Sequence, residues 1–125
     1  MPEPFVPAPR PESLTGETVT VATACGDMCV TLNYHEGKVF EVFARMAHGR
    51  KPCAVMLEAA ARLLSYALRA GAPVKDMAEQ LSGIVCPVEI SSQKPDHVSC
   101  ADAIAQVLTK HGGTAAPGPQ TPDKA

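Results

Sequence analysis

Near Arg45 the apolar period of this chain changes from two to 3.6, and a switch made once, midway, restricts the folds open to it. Before that point, residues 17–23, 29–33 and 38–43 alternate apolar or β-branched side chains with polar ones, which predicts three strands. Gly26-Asp27 and His35-Glu36-Gly37 lie between them as turn signals, so neighbouring strands join as hairpins in an antiparallel meander. Beyond it, Met56, Ala60, Leu63, Leu64, Ala67 and Leu68 recur at three- and four-residue steps, predicting a long amphipathic helix packed on one face of the sheet. Pro52 suits its first turn, and Gly71 the position just past its end. Val74, Met77 and Leu81 predict a second helix paired with the first, with Gly83 as its stop. Ser99 reads as the N-cap of a third helix with Asp102 as the acidic half of a capping box, and Ile104, Val107 and Leu108 form its buried face. The expected fold is α+β: a three-stranded antiparallel meander followed by three helices at about 52–70, 73–82 and 99–110.

Five prolines in residues 1–13, and three more after Gly112, remove backbone donors from both ends of the chain. The expected organisation is a disordered arm at 1–13, one domain at 14–111 and a disordered tail at 112–125. The 125 residues suffice for one modest core. A net charge of −2 and scattered basic residues lack the footprint of a nucleic-acid binder. No apolar run is long enough to span a bilayer, and no basic start with an apolar core marks a signal peptide, so a cytoplasmic location is expected. There the odd count of five cysteines points to thiols, metal ligands or packing rather than a disulfide framework.

Four of those cysteines fall at element boundaries: Cys25 in the first turn, Cys53 at the start of the long helix, Cys86 after the second helix and Cys100 at the start of the last. Ligands of a closed metal site converge from such places, whereas packing cysteines sit on apolar faces, as Cys29 does in its strand. The spacing lacks the tight C-x-x-C pairs of zinc ribbons, so ligation and buried or free thiols both remain open. At Cys53 and Cys100 the partial positive charge of a helix N-terminus favours the thiolate. A redox pair of Cys25 with Cys29 is a further option. His35, His48, His97 and His111 read as surface or capping residues.

Thr23-Ala24-Cys25-Gly26 before a Val-Thr strand, Glu41-Val42-Phe43 ending the sheet, and Leu57-Glu58-Ala59 with Arg62 to Gly71 in the long helix follow one another in order. Gly83-Ile84-Val85-Cys86-Pro87 and Val98-Ser99-Cys100-Ala101-Asp102 complete the series. Together these residues resemble the TSCPD domain, with Ala101 in place of the proline of the naming motif. The resemblance implies an accessory or detached C-terminal module of a class II ribonucleotide reductase, an enzyme of deoxyribonucleotide synthesis. Adenosylcobalamin would then belong to the partner reductase chain, because this chain is too short to reduce a nucleotide alone. The family's four separated cysteines fall on Cys25, Cys53, Cys86 and Cys100, which implies a structural Zn²⁺ held by that set. The alternatives are a stand-alone zinc-binding interaction protein and a small thiol-redox carrier.

Overall fold

A computed structural model of the chain describes residues 6–47, 52–91 and 96–112. Three strands, β1 (Thr15–Thr23), β2 (Gly26–His35) and β3 (Lys38–Met46), form an antiparallel sheet in the order β1-β2-β3. Four helices follow: α1 (Pro52–Arg69), α2 (Val74–Leu81), α3 (Pro87–Ile90) and α4 (Cys100–His111). The α+β meander is therefore as expected, with one short helix more. A four-residue helix spans about one turn and leaves no periodic trace in a sequence.

Both hairpins are tight because the turn residues supply the backbone angles. Glu36 and Gly37 have φ of 52° and 82°, the paired left-handed angles of the turn that matches strand twist. Only Ala24 and Cys25 separate the paired Thr23 and Gly26 of the first hairpin. One face of the sheet then carries Met28, Val30, Leu32, Val42, Ala44 and Met46 into the core. Ile104 and Leu108 of α4 complete that core from below, and α2 packs chiefly on α4 rather than on α1. A register shift at Asn33/Tyr34 lets Tyr34 and Val39 join the same face.

The long helix does not lie on a face of the sheet; it runs along β3. Ser65 Oγ accepts from Val42 N–H at 2.9 Å and donates to Val42 C=O at 3.0 Å, so a side chain satisfies the outward backbone groups of Val42 on that sheet edge. This position selects the buried stripe as Leu57, Ala61, Leu64 and Leu68. Leu64 is 6% exposed but Leu63 is 72% exposed, and Met56 is also exposed, so the expected face is rotated by about one residue. Alanines on both sides of the helix make the two stripes nearly equivalent in sequence.

The arm is held over its described part. Ala8 N–H donates to Arg69 C=O at 2.9 Å, Arg69 Nε donates to Ala8 C=O at 2.9 Å, and Arg10 forks onto Glu41 through Nε and Nη2 at 3.0 Å. Glu41 is buried and also accepts from Asn33 Nδ2, so the arm supplies the cation that a buried carboxylate needs. Residues 1–5 and 113–125 lie outside the described residues.

Leu64→Ala should destabilise the domain by about 2–5 kcal/mol, while Leu63→Ala should stay within about 0.5 kcal/mol of the parent. Paired denaturant melts check this. Equal losses for the two variants would place the helix face elsewhere.

Candidate functional site

Thr23, at the end of β1, uses its hydroxyl to accept from Cys25 N–H at 3.1 Å and to donate to Gly26 C=O at 2.7 Å, which fixes the turn carrying Cys25. The same hydroxyl is in hydrogen-bond contact with the thiol of Cys100 at the start of α4. Cys25 and Cys53, the latter in the first turn of α1, stand near enough for their charges to act on Cys100. Cys86 precedes α3 and donates its N–H to Val98 C=O at 2.7 Å, two residues before Cys100. The four cysteines picked out by position thus belong to one end of the molecule.

Two buried carboxylates tie that end together. Glu89 of α3 is 3% exposed and accepts from Ala24 N–H through Oε1 at 3.1 Å and Oε2 at 3.2 Å, pinning the Cys25 turn to α3. His97 Nε2 lies 3.0 Å from Glu89 Oε2, and both side chains are buried. That nitrogen has no aligned hydrogen bond among the described residues, and the two side chains are packed against each other. Asp102 accepts from Gly83 N–H at 2.8 Å, from Val98 N–H at 3.0 Å and from Gln106 Nε2 at 3.2 Å. Its own N–H donates to Ser99 Oγ at 2.9 Å, the expected N-cap. The carboxyl is used differently from a capping box: it reaches back to Val98 and across to Gly83, joining the loop before α3 to the loop before α4.

These surroundings set the protonation of the site. Burial pushes the Cys100 thiol up to about 11; the Thr23 bond opposes this, and the charges of Glu89, Cys25 and Cys53 add to it. The expectation that the helix N-terminus favours the thiolate at Cys100 is therefore overturned by desolvation. For Asp102, burial favours the neutral acid, but the bonds from Gly83, Val98 and Gln106 and the charge of His97 outweigh it and hold the pKa below the usual range.

Cys29 stands apart. Its neighbours Met28 and Val30 point into the core, so Cys29 lies on the open sheet face and lines the groove beside α1, whereas Cys25 packs against the core. Cys25 and Cys29 thus have different surroundings, the core for one and the groove beside α1 for the other. His48 lies outside the described residues.

A family model described as the TSCPD domain matches residues 3–112. The chain belongs to that family. No curated protein and no solved structure matches it. The TSCPD domain is known from the C-termini of ribonucleotide reductases, and the matched residues take in the arm, the sheet and all four helices. Among the described residues no helix is long and apolar enough to cross a membrane.

Thiols are the donors that Zn²⁺ and other soft ions prefer, so the chemistry of Cys25, Cys53, Cys86 and Cys100 in this TSCPD domain suits a closed tetrahedral site. Among the described residues, no three His, Cys, Asp or Glu side chains are gathered closely enough to hold an ion. Ligation would require the turns to draw in. Glu89, His97 and Asp102 escaped the sequence reading of the site because an acid or imidazole near a loop is ordinarily solvated. The one local signal was Asp102, three residues after the cap.

Ser99→Ala should cost about 1 kcal/mol through loss of the cap. Asp102→Asn should cost about 1–3 kcal/mol at neutral pH by weakening its amide bonds. Because the folded pKa of Asp102 is depressed, its contribution is present above the unfolded value of about 3.9 and is lost as pH falls through the folded one. Melting curves from neutral to acid pH should show a shallower acid loss for Asp102→Asn than for the parent. Parallel profiles would remove Asp102 from this role.

Proposed function

We propose that this TSCPD domain is an accessory or detached C-terminal module of a class II ribonucleotide reductase, with a structural and interaction role rather than a catalytic one. The observation that carries the reading is the family match over residues 3–112, joined to the four cysteines collected at one end of the fold. Adenosylcobalamin and the radical chemistry would belong to the reductase chain. In the same reading, Cys25, Cys53, Cys86 and Cys100 hold one Zn²⁺, which would tie the first hairpin to the starts of α1 and α4 and to the loop before α3. Four thiolates leave no open position on the ion, so no hydrolytic chemistry is expected there. The cysteines must give up protons to bind, and with Cys100 raised to about 11 the affinity should fall steeply with acid.

The test is capture of the reductase large chain on the immobilised 125-residue protein, followed by metal analysis of anaerobically purified material. The expected results are stoichiometric recovery of the large chain and one zinc per chain, with zinc lost in Cys86→Ser and the melting temperature lowered by chelation. Recovery without zinc would refute the metal site alone. Zinc without recovery would support a stand-alone zinc-binding interaction protein instead.

A further inference from the structure

The sheet has two edges, and the fold treats them differently. On the β3 side, Ser65 occupies both backbone groups of Val42. That contact also fixes the hydrogen-bonding parity of the sheet. Val42 turns its N–H and C=O away from β2, so its partner Leu32 must turn its own toward β1. Glu17, Leu32's partner in β1, and then Val19 and Val21, bond inward, while Thr18, Thr20 and Ala22 direct N–H and C=O to the outside. Among the described residues no hydrogen bond reaches those outward groups.

Edge strands are usually guarded by proline, lysine, a bulge or short length. β1 has nine residues, no proline, no lysine and one charge, Glu17, and its pairing with β2 is regular throughout. A groove of about 630 Å³ runs beside it. Inward and outward residues of β1 alike line this groove, Val19 and Val21 together with Thr20 and Ala22, so it follows the edge and not a face. α4 forms the other wall, with Ala103 and Val107 as an apolar floor. His111 lies 3.9 Å from Glu17 and Cys100 touches Thr23, so α4 runs antiparallel to β1. Asp96 therefore flanks the groove toward the start of α4 and Lys110 toward its end.

We propose that β1 pairs antiparallel with β1 of a second copy of this chain, joining the two three-stranded meanders into one continuous sheet. The pairing is isologous, each copy offering the other the same surface. Centred on Val19, it sets the outward Thr18 against Thr20 of the other copy, so backbone donors meet acceptors. The threonines on the open face repeat the Thr18–Thr31 hydroxyl contact of 2.8 Å already present between β1 and β2. The two-fold rotation brings Lys110 of one copy to Asp96 of the other, matching the basic end of each groove with an acidic one. This inference is independent of the reductase reading.

Sedimentation of the full chain tests it, with twice 13.1 kDa as the expected mass. Thr20→Pro removes only an outward N–H, so it should give a monomer with unchanged circular dichroism. Thr18→Lys supplies the same test through an edge guard should the proline disturb folding. Lys110→Glu should weaken association about tenfold, and Asp96→Lys added to it should restore the parent affinity. A parent chain that is monomeric throughout, a dimer that both edge variants leave intact, or a double variant no stronger than Lys110→Glu would overturn the pairing. A monomer would leave the open edge to a strand from another protein.

Discussion

Two buried carboxylates hold the cysteine end of this domain together. A charge removed from water is tolerated only where hydrogen-bond donors or an opposite charge replace the solvent. Glu89 takes its donor from the first hairpin turn, at Ala24, and has His97 beside it. Asp102 takes its donors from the Gly83 turn and from Val98. Neither acid can be satisfied unless loops far apart in sequence come together, and those loops carry Cys25, Cys86 and Cys100. The geometry of the thiols is thus set by groups that are not thiols, in the way that outer-shell partners orient ligands.

Glu41, at the far side of β3, obeys the same rule. It is buried, and Arg10 of the arm with Asn33 of β2 holds its pKa below the usual carboxylate range against the effect of burial. Arg69 contributes a further positive charge while it also hydrogen-bonds the arm at Ala8. The arm therefore lies where an ion pair and two hydrogen bonds to the backbone of Ala8, one from the side chain of Arg69, place it, despite a composition that favours extension. On the β3 side Ser65 bonds Val42 and α1 runs alongside, whereas among the described residues no strand pairs with the outer side of β1.

What was legible in the sequence was local. Alternation gave three strands, Glu36-Gly37 a tight turn, and Ser99 an N-cap, each decided by residues within a few positions of one another. The choice of buried stripe on α1 was not local. Residues 56, 60, 63 and 67 and residues 57, 61, 64 and 68 form adjacent apolar rows, and the decision rests on Ser65 meeting Val42 across the sheet edge. α3 was hidden by its length, and the Glu89–His97 contact by its nature, since burial of two polar side chains depends wholly on tertiary neighbours. The four cysteines were found by position and family pattern, but how they are held required Glu89 and Asp102.

Amide hydrogen exchange at Ala24 in the parent and in Glu89→Ala tests the role of the buried carboxylates most directly, because that N–H donates to both Glu89 oxygens. Protection at Ala24 should fall by about tenfold to a hundredfold, the equivalent of losing one charge-assisted hydrogen bond, while the amides of Val30 and Leu32 in β2 keep theirs. Unchanged protection at Ala24 in a folded Glu89→Ala protein would contradict the account, since the turn that carries Cys25 would then be held by something else.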